Sequence, residues 1–236
     1  MKRLSFGFLV TFLLVSCFST AMAWHDRTHI AVGEVAGFDL AYNLAAPDVA
    51  KLKAYHVEDY NHWVNNDEKD DITPEMIRGQ IQKYNLGIKE EEKGHLYGAI
   101  VAAIRAYRDE SGATKYGAYH LVYAGHYIGD LSMPFHNIAY DSFNEGHHVL
   151  NDGIVENEIR DNLHKVVLYP ITIKNEDDLI QNIARIARKA RDLGIKLKKY
   201  KNEGRDMCKE EAYDQLSDSA SLFKAVLEYV GYSNAR

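Results

Sequence analysis

Cysteine is almost absent from this 236-residue chain, occurring only as Cys17 and Cys208. Cys17 falls in an N-terminal segment that reads as removable, so the processed chain has no cysteine pair and no intrachain disulfide. Cys208, between Met207 and Lys209, reads as a surface or half-buried thiol. Proline is nearly as scarce, at Pro47, Pro74, Pro134 and Pro170, and neither a Gly-rich phosphate loop nor a fixed repeat occurs. Alternating strand patterns are rare; Val166-Val167-Leu168-Tyr169 before Pro170 is the best, and it is short. Beyond the N-terminal segment no apolar run approaches the roughly 20 residues that span a bilayer. An exported protein of this size without disulfides draws its stability from its core and from any metals it binds.

What is present begins at the N-terminus. Lys2 and Arg3, an apolar run from Leu4 to Val15 and small residues ending Ala21-Met22-Ala23 read as a secretory signal over residues 1–23. Cleavage after Ala23 leaves residues 24–236, enough for one domain with a substantial core. It also removes two basic residues, taking the net charge from −6 to −8. An acidic chain is a poor default binder of polynucleotide phosphates, although clustered cations offset that locally. The expected location is secreted or periplasmic. Leu14-Val15-Ser16-Cys17 also fits bacterial lipid attachment, which would give an anchored form, and the two processing routes exclude one another. Cleavage after Ala23 frees the Trp24 amine, whose neutral form can bind a metal beside its own carbonyl. His29, five residues on, can reach the same point.

Apolar residues recur at helical spacing in six stretches: His29 to Leu44, Tyr97 to Tyr107, Tyr116 to Met133, Val149 to Val167, Asp177 to Lys199 and Glu211 to Tyr229. The mixed charge clusters at Asp67–Asp71 and Lys89–Lys93 and the basic one at Lys196, Lys198 and Lys199 are solvated faces. The expected fold class is all-α, a single helical domain.

Zinc takes imidazole and carboxylate ligands, and positions i and i+4 put two such side chains on one helix face. His126-x-x-x-Asp130 does this in the Tyr116–Met133 segment, and His148-x-x-x-Asp152 does it at the start of the next predicted helix. His136, in the turn after Pro134, can fold back toward the same cleft. With 11 histidines and 34 acidic residues, about 1.6 such pairs arise by chance, so spacing alone decides little. Context adds more. Tyr123, Ile128 and Leu131 surround the first pair and Val149, Leu150 and Ile154 the second, and an unpaired aspartate among such neighbours is costly unless a cation satisfies it.

Trp24…His29, His126-x-x-x-Asp130-x-x-x-x-x-His136 and Gly146-His147-His148-Val149-Leu150-Asn151-Asp152, in that order, resemble the zinc-dependent phospholipase C family. The fungal single-strand-specific zinc nucleases share its fold and ligand order. The resemblance runs from Trp24 to about Asp152, while the C-terminal helices match only in general character. It implies a helical bundle of that type and an Asp–His pair about 14 residues apart between the N-terminal and central ligands. Asp48 and His62 fill that place, with His56, Asp59 and His95 as competitors. It further implies three zinc ions. Asp48, His62, His126 and Asp130 would hold one, His136, His148 and Asp152 a second, and Trp24, His29 and the shared Asp130 a third.

The activity implied is hydrolysis of a phosphoester by a metal-activated water, with Asp48 both binding zinc and orienting the water. A phospholipase C acting on phospholipid headgroups, with transient contact to a membrane surface, is favoured by the short His136-to-His148 loop and by a candidate aromatic box of Tyr55, Tyr60 and Trp63. A single-strand nuclease or nucleotidase is favoured by Asp152, where phospholipases carry Glu, and by the five-residue step from Trp24 to His29. A secreted metal-binding protein without turnover is the third reading. His25, His95, His120, His147 and His164 are expected at the surface or in the core rather than on a metal.

Processing and metal content are linked by this reading. Retaining one residue before Trp24 converts the amine to an amide that has no lone pair to donate. Elemental analysis of that variant is expected to show loss of one zinc, with the other two kept. Full zinc content would remove the amine from the ligand set.

Overall fold

Every regular element among the described residues is helical, and no strand occurs among them. The computed structural model describes residues 24–54, 56–86, 93–110, 114 and 116–233, so the signal segment expected over residues 1–23, with Cys17, and Tyr55 lie outside the described residues. In chain order the helices are α1 (Asp26–Ala36), α2 (Ala46–Ala54), α3 (His56–Asp59), α4 (Pro74–Ile81), α5 (Leu96–Asp109), α6 (Gly117–Leu131), α7 (Ser142–Asp152), α8 (Glu176–Lys198) and α9 (Lys209–Tyr229). Short 3-10 turns occupy Ala41–Ala45, Pro134–His136, Ile159–Lys165 and Tyr200–Asn202. Among the described residues no helix is long and apolar enough to cross a membrane.

Local chemistry sets the ends. Thr73 caps α4 by accepting from the Met76 amide at 3.2 Å, with Pro74 as its first residue. Asn175 caps α8, whose first turn carries Glu176, Asp177 and Asp178 and whose last carries Lys196 and Lys198, matching the helix dipole. Gly37, at φ 83°, ends α1 in the left-handed conformation that glycine takes without strain. The start of α1 is capped from far along the chain. Glu156 accepts from the Arg27 and Thr28 amides, both at 3.1 Å, and from the Thr28 hydroxyl at 2.9 Å.

Two apolar clusters lie inside. The larger joins α5, α6, α8 and α9 through residues such as Ile100, Ile104, Leu121, Ile128, Ile183 and Phe223. The smaller gathers Trp24, Val32, Met133, Phe135, Ile159 and Leu216. α6 is buried along most of its length, and its last turn and the Pro134–His136 turn lead straight into the polar cluster described below.

Two expectations are corrected. The helix expected over Val149 to Val167 is instead the end of α7, a series of turns and a 3-10 segment, so His148 and Asp152 close a helix rather than open one. Asp141 caps that helix early, accepting from the Phe143 and Asn144 amides. After Gly153 the chain turns, carrying Glu156 to α1 and Val155 and Ile159 into the smaller cluster. The helix expected over His29 to Leu44 breaks at Gly37 for the reason given above. The best strand candidate is no strand. Its alternate amides bond to a helix, Val167 N–H to the Ser217 hydroxyl at 2.9 Å and Tyr169 N–H to the Ser221 hydroxyl at 3.0 Å.

Gly98 packs α5 on α4 so closely that an added Cβ would lie 2.3 Å from the Gln80 carbonyl carbon. Backbone cannot yield as a side-chain tip can. Gly98→Ala gains about 1 kcal/mol of helix propensity and incurs an overpacking cost of about 1–3 kcal/mol. Urea unfolding is expected to show a net loss of up to about 2 kcal/mol.

Candidate metal centre

Six separate pieces of chain converge on one buried polar cluster. α6 supplies His126 and, one turn later, Asp130; the last turn of α7 supplies His148 and Asp152; the 3-10 turn supplies His136. α1 brings His29, the first turn of α2 brings Asp48, and His62 follows α3. None of the eight is more than 5 % exposed. His29 lies flat on His126, with ring centroids 3.8 Å apart. It fits because position 129 is glycine, where a Cβ would sit 2.5 Å from His29 Nδ1.

The donor atoms are spaced as a metal requires. Zinc bonds of about 2.0–2.2 Å place the corners of a tetrahedron about 3.3–3.6 Å apart. His62 Nδ1 lies 3.0 Å from Asp130 Oδ2, 3.1 Å from His126 Nε2 and 3.7 Å from Asp48 Oδ1. His126 Nε2 lies 3.4 Å from Asp130 Oδ2 and 3.7 Å from Asp48 Oδ1. These are the four residues that the resemblance implies for one ion, and three of them, His62, His126 and Asp130, offer donor atoms within 4.8 Å of one another. In the second group His148 Nε2 lies 3.3 Å from Asp152 Oδ2, and His136, His148 and Asp152 offer donor atoms within 4.8 Å of one another. Asp130 turns its other oxygen toward His29 Nε2, at 3.3 Å, so its two oxygens face different donor groups. His29 also groups with Asp48 and His126.

The opposite edge of four imidazoles is occupied. His126 Nδ1–H donates to the Leu44 carbonyl at 2.6 Å, His136 Nδ1–H to the His62 carbonyl at 2.5 Å and His148 Nδ1–H to Asn144 Oδ1 at 2.7 Å. His62 turns Nε2 toward Glu58 at 3.3 Å. Each ring is thereby fixed with its remaining nitrogen aimed inward, the arrangement that orients histidine ligands to metals. His148 Nε2, both oxygens of Asp48 and Asp152, Asp130 Oδ1 and both ring nitrogens of His29 have no hydrogen-bond partner. Buried polar atoms left so are costly; bound cations would satisfy the carboxylate oxygens, His148 Nε2 and the one ring nitrogen of His29 that carries a lone pair. The residues present fit a cation.

Electrostatics agree. Burial outweighs everything else on His126 and His136, holding them at about 3 and about 4, and it also drives His148 well down. Three imidazoles are therefore neutral and keep their lone pairs. Burial would raise Asp48 and Asp130, but the surrounding histidines overcome it and both carboxyls are displaced downward. Asp152 moves the other way, well above the carboxylate range, because burial is joined by repulsion from Asp130 and Asp48. His62 is lowered by burial and by Lys51, but hydrogen bonds to Asp130 and Glu58 carry it up to about 9.

The remaining candidates are placed as follows. Trp24 is buried in the smaller apolar cluster with its indole N–H unpartnered, and the next amide, His25 N–H, donates to the Asp152 carbonyl at 3.4 Å. The state of the Trp24 amine depends on residues 1–23, outside the described residues. Asp59 pairs with Lys51 at 3.3 Å, His95 is buried, and neither joins a donor group. The side chain of His56 lies outside the described residues. His147 pairs with Asp206 at 2.7 Å, leaving the centre to His148. Trp63 and Tyr60 meet edge to face at 5.5 Å. The residues missed are Glu58 and Asn144. Both stand four positions before a histidine, so the i, i+4 rule taken with the acid or amide first finds them.

Proton linkage gives two measurable consequences. Between pH 4 and 6.5 the unfolded chain binds protons at positions 126, 136 and 148 that the native state rejects, opposed by the raised carboxyls of Asp152 and Asp26. Stability of the metal-free protein therefore falls as pH drops below 6.5. Above 6.5 His62, raised to about 9, holds a proton in the native state that the unfolded chain has lost, so stability falls again as pH rises through that value. Thermal unfolding across pH is expected to peak near about 6.5. Zinc binding at pH 7 is expected to release the proton that His62 holds, seen as a calorimetric enthalpy that varies with buffer ionisation. A buffer-independent enthalpy would contradict the assignment.

No family model matches the chain, and no curated protein or solved structure matches it either, so its function has to be argued from these side chains.

Proposed function

We propose that the protein is a zinc-dependent phosphoric ester hydrolase of the phospholipase C type, acting after export on phospholipid headgroup phosphoesters. The observation that carries this reading is the convergence of donor atoms from His62, His126 and Asp130, 3.0–3.4 Å apart, with Asp48 Oδ1 3.7 Å from both histidines, beside a second donor group of His136, His148 and Asp152. Imidazole-rich sets of this kind suit zinc better than magnesium or calcium. Bound cations supply Lewis acidity, which acidifies water toward a pKa of about 7 and neutralises charge on phosphoryl oxygens.

The chain's own residues do the rest. Asp48, with both oxygens unpartnered, is the group to orient the attacking water and accept its proton. Lys51, one turn further along α2, acts electrostatically on His62, His136, His148 and Tyr140 together, so its charge draws an anionic phosphodiester to that side. The same helix exposes Val49 and Leu52, at 60 % and 52 %. An aliphatic edge beside Asp48 suits acyl chains better than nucleobases, which call for aromatic stacking. Asp152, the shorter carboxylate, is the feature that keeps a single-strand nuclease as the second reading.

The deciding test is a paired assay of the zinc-loaded protein on phosphatidylcholine vesicles and on single-stranded DNA. Release of diacylglycerol without DNA cleavage is expected; the reverse outcome transfers the assignment to the nuclease. On the better substrate, Asp152→Ala is expected to lower turnover by more than the roughly hundredfold that losing an outer partner of a metal ligand costs. Its circular dichroism should stay helical. An unchanged rate would remove the second donor group from the chemistry.

A further inference from the structure

Glu58 is a carboxylate only 5 % exposed that belongs to none of the donor groups. It lies on α3, one helical turn before His62. Oε1 accepts from the Tyr127 hydroxyl at 2.7 Å and faces His62 Nε2 at 3.3 Å, while Oε2 accepts from Asn61 Nδ2 at 3.3 Å. Asn61 Nδ2 also lies 3.2 Å from the Tyr127 hydroxyl. Asn61 directly precedes His62 and Tyr127 directly follows His126, so this polar ring ties together the two segments that present those histidines.

The histidines of the centre are not backed alike. His126, His136 and His148 donate to neutral amide oxygens, from Leu44, His62 and Asn144. Only His62 has a carboxylate behind it. No lysine or arginine among the described residues pairs with Glu58, so its charge is answered only through His62, at 3.3 Å. A proton on the ring answers it, and so does a cation that takes the place of that proton at Nδ1.

We propose that Glu58 is a positioning residue for the ion held by Asp48, His62, His126 and Asp130. It holds the His62 proton on Nε2, leaves the Nδ1 lone pair for the cation, and makes His62 a stronger donor than the imidazoles backed by amides. The site it serves is therefore the tightest of the set. The inference rests on the metal reading of the centre but not on phosphoester hydrolysis, and its test measures zinc rather than turnover.

Glu58→Gln keeps the shape and an oxygen for Tyr127 but removes the charge. Zinc titration against a competing chelator is expected to show one ion weakened about ten- to hundredfold, with the others within a few-fold of wild type. Tyr127→Phe, which deletes a neutral partner and keeps the charge, is expected to change no affinity by more than a few-fold. Equal losses in the two variants would reduce Glu58 to packing, and wild-type affinities in Glu58→Gln would overturn the proposal. Nitrogen-15 NMR of the zinc-loaded wild type tests it without any variant. The proton of His62 should sit on Nε2 and the metal on Nδ1; the opposite pattern overturns it. A wild type that binds no zinc overturns both this inference and the proposed function, whereas a zinc-binding protein inactive on both substrates overturns the function alone.

Discussion

The rest of the molecule is arranged around a carboxylate with no access to water. Asp130 is fully buried on α6, and such a group is tolerated only when its charge is met by donors or cations. His62 and His126 approach one oxygen, at 3.0 and 3.4 Å, while His29 approaches the other at 3.3 Å. Those contacts dictate where α1 crosses α6, why position 129 carries no side chain, and why the chain after α3 returns to the centre. His136 closes the last side and is in turn locked to the His62 segment, since Val64 N–H donates to the His136 carbonyl at 2.8 Å.

Stability and ligand binding therefore draw on the same atoms. The unpartnered buried polar atoms fall mostly in this one cluster, whose side chains could hold a cation, and their cost is borne by the two apolar clusters. Glu156 adds a further constraint by anchoring the first turn of α1 from the far side of α7. Trp24 and His25, just before α1, are thus held beside Asp152 by ordinary capping and by the bond from His25 N–H to the Asp152 carbonyl.

Much of the centre was legible in the sequence because helices transmit spacing faithfully. His126 with Asp130 and His148 with Asp152 are local pairs, and the all-helical class follows from periodicity alone. Asp48 and His62 were placed by resemblance, not by pattern, because what unites them is the tertiary path of the chain through α2 and α3. The backing groups were harder still. The Leu44 and His62 carbonyls carry no residue-type signal, and only the fold brings them to a ring nitrogen. The break after Asp152 was missed for a related reason, since Ile154 and Ile159 continue a helical pattern that the pull of Glu156 and Val155 toward other partners overrides.

The extended stretch before Pro170 has a consequence for behaviour in solution. Val166 to Tyr169 combines β-branched, aliphatic and aromatic residues without a charge, and Val167 is 62 % exposed. Such a run ordinarily offers a row of amides to another chain. Here successive turns of α9 present Ser217 and Ser221, whose hydroxyls take the amides of residues 167 and 169. One edge of the run is closed by a helix in place of a neighbouring strand, so the protein carries an aggregation-prone sequence whose templating edge is already spent.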